Sequence, residues 1–305
     1  MSENLKSNLA VGLLRTLGKF PLWWLHCLSK VILPFMLVLP NESHKQTKLN
    51  IQRCCPNLTN QQQAKLVRQS LLHTIYAALE MGINWTQSSQ CGLDSIKAVH
   101  GAECLSEAQS KGGVVLLTPH LGNWELLANW AAHQTKVTAL YKPAKLPGLN
   151  QLIHQARSNA GMKLAPASAK GVMQLKRSLL KGEVNLILPD QEPPPVAGII
   201  SQWFGQPAYT MTLASQLANT KNTRIILGFA RRLNASKGFV IELEDITDQC
   251  TLASTSDTKD DATAVLAAKV QAINTAVERL VQSAPAQYQW EYRRFKHTLE
   301  ADSLN

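Results

Sequence analysis

Gly113-Val114-Val115-Leu116-Leu117-Thr118-Pro119-His120-Leu121-Gly122-Asn123-Trp124-Glu125 reads as a short, wholly apolar strand, a turn and the start of a helix. An apolar run of this length belongs to a strand buried on both faces. Pro119 ends the ladder because it has no N–H to donate. Asn123 is a good helix cap, and Glu125 in the first turn suits the positive end of the helix dipole. His120 and Glu125 together form a candidate general-base pair. On one continuous helix, side chains five residues apart sit roughly 140° apart around the axis. The two can therefore meet only if His120 lies in the turn, which Gly122 makes easy. The spacing alone is cheap: with eight His and 21 acids in 305 residues, about half a match arises by chance. A second match exists at His297 and Asp302.

Outward from this stretch, strands and helices alternate. Strands are predicted at 113–118, 136–141, 183–188, 224–230 and 239–243, and helices at 61–85, 149–160, 169–181, 210–219 and 261–282, with a helix to about 133 after the opening strand. The implied class is α/β, a central mostly parallel sheet with helices on both faces. Three strands end alike, at Thr118-Pro119-His120, Tyr141-Lys142-Pro143 and Leu188-Pro189-Asp190. Open α/β sheets place ligands beyond the carboxyl ends of their strands. If these strands are parallel neighbours, His120, Lys142 and Asp190 share one crevice.

The 31 Lys and Arg against 21 acids give a net charge of +10, which suits an anionic partner such as a lipid surface, a phosphorylated substrate or an acidic protein. Basic residues are scattered and carry no aromatic recognition motif, so nucleic acid is disfavoured. The six cysteines form no CxxC and no zinc spacing; reduced thiols facing the cytosol are expected, with no metal site and no cofactor. There is no G-x-S-x-G nucleophile elbow.

Residues 20–39 are strongly apolar with one formal charge, Lys30, and as a helix would reach about 30 Å. Lys30, His26 and Pro34 are poor choices for the centre of a span, whereas Trp23 and Trp24 favour the headgroup layer. N-terminal membrane-anchoring helices are expected over residues 1–45, lying in or dipping through a bilayer, followed by one catalytic domain over 46–305. The rival reading of the N-terminus is a buried hydrophobic helix pair.

In order along most of the chain, His120-Leu121-Gly122-Asn123-Trp124-Glu125, Tyr141-Lys142-Pro143, Arg157, Lys181-Gly182-Glu183-Val184 with Pro189-Asp190-Gln191, the run Phe204 to Thr210, and the closing run Ala284 to Trp290 with Arg293-Arg294-Phe295-Lys296 resemble the late acyltransferases of bacterial lipid A biosynthesis. These enzymes fall within the lysophospholipid acyltransferase superfamily. The resemblance implies transfer of a fatty acyl chain from an acyl carrier protein to a hydroxyl of a lipid A precursor, an anionic glycolipid. It also implies a seat at the bacterial inner membrane with the catalytic domain on the cytoplasmic side. The proline-rich run Gln191-Glu192-Pro193-Pro194-Pro195 departs from the pattern, and the glycerol-phosphate acyltransferase motif is missing.

In this scheme neutral His120 takes the proton of the acceptor alcohol and Glu125 fixes its tautomer. Backbone N–H groups near Gly122 and Asn123 serve the oxyanion. Arg157 holds an acceptor anion or orders the site, Asp190 orients Arg157 or the catalytic face, and Lys142 lines the crevice. Arg231, Arg232, Arg293, Arg294 and Lys296 form a basic rim, and the apolar run 198–204 is a loop. The competing readings are a non-catalytic membrane lipid-binding protein of the same fold, or an acyltransferase acting on another glycolipid or lysolipid.

Overall fold

The computed structural model describes residues 3–252 and 262–298. Four helices lead: α1 (Glu3–Leu17), α2 (Leu22–Val38), α3 (Glu42–Cys54) and the long α4 (Asn60–Thr86). Thr59 and Gln62 start α4 with a reciprocal capping box. The short α5 (Ser89–Leu93), β1 (Ile96–His100) and α6 (Ala102–Lys111) connect to the alternating core. That core runs β2 (Val114–Leu117), α7 (Trp124–Gln134), β3 (Val137–Tyr141), α8 (Pro147–Asn159), β4 (Lys163–Pro166), α9 (Ala169–Leu180) and β5 (Val184–Ile187). A hairpin of β6 (Gly198–Trp203) and β7 (Gln206–Met211) follows. Next come α10 (Leu213–Ala218), β8 (Arg224–Arg232), β9 (Phe239–Asp245), α11 (Thr247–Leu252) and α12 (Ala262–Ser283).

Seven strands form the sheet in the order β1-β9-β8-β2-β5-β3-β4, parallel except at the β8–β9 pair. The four residues of β2 are all fully buried, and they alternate between two cores. Val115 and Leu117 join Ile187, Ile225, Leu175 and Val277 on one face, while Val114 and Leu116 join Leu126, Leu127, Leu186 and Ile226 on the other. Period-two burial into both layers explains why the strand reads as an unbroken apolar run.

Two predicted segments differ. Residues 198–204 are not a loop: they supply β6, whose partner β7 takes Thr210, so the helix expected at 210–219 begins at Leu213. Every second residue of β6–β7 faces a helix, as with Ser201 and Thr210 against Asn274, a pattern too short to separate from a helix by periodicity alone. Position 261, the predicted start of the long helix, lies outside the described residues.

Helices α1 and α2 pack on α4, burying Leu17, Leu25, His26, Ser29 and Leu33. Their outer faces leave Leu5, Leu9, Leu13, Trp23, Val31, Phe35 and Val38 exposed, beside exposed Arg15, Lys19 and Lys30. Among the described residues no single helix is long and apolar enough to cross a membrane. Leu22–Val38 and Glu42–Cys54 meet that requirement only as a pair, bent by 81°.

Candidate active site

Strand register builds the site. Leu117 of β2 pairs with Ile187 of β5, and each chain then runs three residues further through a proline, to His120 and to Asp190. The two side chains therefore meet. The backbone N–H of His120 donates to Asp190 Oδ2 at 2.9 Å, and its ring Nδ1 lies 2.9 Å from Oδ1. Asp190 is buried; burial pushes its carboxyl up, but the His120 charge and N–H donors outweigh this and hold it below the usual carboxylate range. An ionised carboxylate only accepts, so Nδ1 carries a proton, and in the neutral form of the ring the lone pair is on Nε2. Gln191 Nε2 stands 3.2 Å from that nitrogen. The Trp124 ring flanks the imidazole, 5.0 Å between centroids.

Glu125 does not fill the role expected of it. No hydrogen bond joins it to His120 among the described residues. Instead Arg157 of α8 grips its buried carboxylate with a fork, Nε to Oε2 at 3.2 Å and Nη2 to Oε1. The reason is local. His120 is pinned twice to Asp190, whereas Glu125 is the second residue of α7 and points toward α8. Burial works against the Arg157 charge, but Glu125 raises its pKa overall, and the guanidinium also lies 5.7 Å from the centre of the Tyr141 ring. Asp190 accordingly orients His120 rather than Arg157.

The turn between β2 and α7 is fastened from below. Gly122 has φ +61°, and a Cβ there would come 2.1 Å from Ala230 O, so only glycine fits. The N–H of Gly122 donates to Gln287 O at 3.1 Å and that of Asn123 to Ala230 O at 2.9 Å. Both point into the protein, which corrects the expectation that they face an oxyanion. Asn123 orders the site by other means. Its Oδ1 accepts from Leu126 N–H at 3.0 Å and from Asn84 at 2.9 Å, while its Nδ2 donates to Glu80 at 3.1 Å.

Glu80, an acid inside the apolar stretch of α4, is 1% exposed. Arg232 of β8 binds it at 2.6 and 2.7 Å and also donates to Gly122 O at 2.8 Å; His26 of α2 completes the cluster at 2.8 Å. His73, beside Arg232, is pushed down to about 3, first by burial and then by the guanidinium. The basic rim is thus not formed as expected. Arg232 and Arg294 are buried, Arg294 donating to Tyr209 O and Thr210 Oγ1 at 2.7 Å. Arg231 is paired with Glu242, Arg293 with Glu42, and Lys296 is exposed. Lys142 stands exposed past β3 with no hydrogen bond or ion pair to the described residues. His297 binds Glu192 at 2.6 Å; its expected partner Asp302 lies outside the described residues.

A cavity of about 210 Å³ is walled by Ala77, Ala78 and Met81 of α4, Trp124, Gln289 and Glu291; His120 does not line it but touches two of its walls, Trp124 and Gln289. Gln289 N–H donates to His120 O at 3.0 Å, so the closing segment of the chain forms part of the site wall. Glu80 was not singled out from sequence, Arg232 was read only as part of a surface rim, and Gln191 was given no role of its own. The one available signal was an acid, Glu80, set among apolar neighbours of a helix. Chemically, the arrangement is an imidazole oriented through Nδ1 by a buried carboxylate, with its other nitrogen met only by a side-chain amide.

A model of the bacterial lipid A biosynthesis acyltransferase family matches residues 3–297. The chain is 27% identical over 296 residues to the lipid A biosynthesis lauroyltransferase of Escherichia coli K12, covering 94% of this chain and 90% of that protein. It is 24% identical over 265 residues to a lipid A biosynthesis acyltransferase of Haemophilus influenzae, covering 85% and 77%. To lipid A biosynthesis acyltransferase 2 of Shigella flexneri it is 23% identical, covering 85% and 79%.

Proposed function

The chain belongs to the bacterial lipid A biosynthesis acyltransferases, and on that premise we propose that it moves a fatty acyl chain from an acyl carrier protein thioester to a hydroxyl of a lipid A precursor. The observation that carries this reading is the His120 ring, held by Asp190 through Nδ1 with only the Gln191 side-chain amide at Nε2, and contacted by Trp124 and Gln289, two walls of the neighbouring cavity. An alcohol is a poor nucleophile at neutral pH, and a positioned base removes its proton as the new bond forms. Asp190 takes the role first given to Glu125, holding the tautomer and stabilising the imidazolium. Glu125 and Arg157 act as a buried brace between α7 and α8, with the guanidinium near the acceptor crevice. A thioester is already activated, and the scheme uses only this chain's own side chains.

In this proposal residues 1–45 seat the enzyme on the cytoplasmic face of the inner membrane, and residues 46–305 carry the chemistry. The exposed leucines of α1 and the Trp23, Val31 and Phe35 face of α2 support an in-plane docking, with Arg15, Lys19 and Lys30 toward lipid phosphates. The net charge of +10 suits both an acidic carrier protein and an anionic acceptor.

The test is mass spectrometry of lipid A from cells with the protein, without it, and with His120→Ala. One added acyl mass that needs His120 is expected. An unchanged lipid A pattern in all three would remove the acyltransferase reading and leave a lipid-binding one.

A further inference from the structure

The turn that precedes α7 offers no backbone donors to a developing oxyanion, because the N–H groups of Gly122 and Asn123 are bound to Gln287 O and Ala230 O. The donor that does stand at the reacting nitrogen is a side chain, the amide of Gln191, 3.2 Å from His120 Nε2. Its orientation follows from the far side of the ring. With Nδ1–H donating to Asp190, the neutral ring that can act as a base has its lone pair on Nε2, and toward that lone pair the amide presents its N–H. Asp190 and Gln191 are consecutive, so the strand end that orients the base also delivers this amide.

We propose that Gln191 is the hydrogen-bond donor to the thioester carbonyl oxygen during acyl transfer. This rests on the acyltransferase reading given above. In the empty site the amide N–H occupies the lone pair that the acceptor hydroxyl must use. When the hydroxyl docks on Nε2, the N–H is displaced by one hydrogen-bond position. The carbonyl under attack is bonded to the same incoming oxygen, so its own oxygen arrives where the released N–H points.

The step balances as follows. The alcohol proton passes to Nε2, the alcohol oxygen bonds to the carbonyl carbon, and the C=O pair moves onto the carbonyl oxygen, where Gln191 donates. On collapse the C–S bond breaks, and the sulfur takes the proton back from the imidazolium. Alcohol and thioester become ester and thiol, and Gln191 gains and loses nothing. A neutral amide suits this role better than a cation, since it stabilises the transient charge without attracting the carboxylates nearby.

The experiment compares full-length wild type, Gln191→Ala, Gln191→Glu and His120→Ala in phospholipid–detergent micelles, with lauroyl-acyl carrier protein as donor and a purified lipid A precursor as acceptor. Gln191→Ala is expected to lower kcat by about 10²–10³-fold with KM within a few-fold. Gln191→Glu keeps the size, loses the donor, and is expected to fall at least as far. Thermal unfolding of both is expected to match wild type. A kcat within threefold of wild type in Gln191→Ala, or a loss confined to KM, overturns the assignment while leaving the enzyme reading intact. No transfer by wild type overturns that reading and this one with it.

Discussion

His26 and His120 each rest a ring nitrogen on a carboxylate buried to 1–2% exposure, and they differ at the other nitrogen. His26 Nε2 meets Glu80 at 2.8 Å and its Nδ1 meets Ser236 at 2.9 Å, so both ring nitrogens are taken. Glu80 is further saturated by Arg232 and Asn123. The His120 ring meets Asp190 through Nδ1 and has only the Gln191 amide at Nε2, its side chain 15% exposed against 5% for His26. A carboxylate behind an imidazole orders it; reactivity also needs the opposite nitrogen to be reachable. The closed cluster ties α2, α4 and β8 under the turn that carries His120.

The largest separation is expected from removing each ring. His120→Ala is expected to reduce acyl transfer by about 10⁴-fold, measured as single-turnover rate, with little change in stability. His26→Ala, at the closed cluster, is expected to leave the rate within a few-fold. Equal losses in the two would erase the distinction.

Asp190→Asn keeps the shape but no longer demands the Nδ1–H tautomer, and a fall of about 10³-fold in kcat is expected, with KM little changed. Glu125→Gln is expected to cost much less, because its carboxylate is held by Arg157 and makes no hydrogen bond to His120 among the described residues; a loss as large as that of Asp190→Asn would restore Glu125 as the direct partner.

For the closed cluster the readout is folding. Glu80→Ala strands the buried Arg232 guanidinium, and a loss of about 3–5 kcal/mol in denaturant unfolding is expected. A change under about 1 kcal/mol would show that water reaches the cluster.

The smallest effect is in acid. Burial raises both carboxyls, yet His120 holds Asp190 below the usual range, and Arg232 with His26 does the same for Glu80. A depressed carboxyl stabilises the fold above its unfolded pKa, about 4, and that stabilisation fades as the pH falls through the lower folded value. Wild type is therefore expected to hold its unfolding free energy from pH 7 to about 5 and lose it below about 4. Asp190→Asn is expected to show a shallower acid slope, and an unchanged slope would sever the link.

Much of the fold was legible because its signals are local. The buried strands β2, β3 and β5, the capped helices α4 and α7, and the prolines that end the strands all follow from residues near one another in the chain. The hairpin of β6 and β7 was missed because Ser201, Thr210 and Asn274 alternate against a helix some seventy residues away. The buried state of Arg232 and Arg294 was equally hidden, since a guanidinium is read as exposed until its distant acceptors are known.

His120, Asp190 and Lys142 were picked out by residue types at the ends of neighbouring strands, and Arg157 by the family resemblance. Which carboxylate serves the imidazole was decided only in three dimensions. The register Leu117 to Ile187 brings Asp190 across the sheet, and Arg157 arrives from α8 to claim Glu125. Periodicity is a property of one segment, whereas pairing is a competition among several, and only packing settles which partner wins.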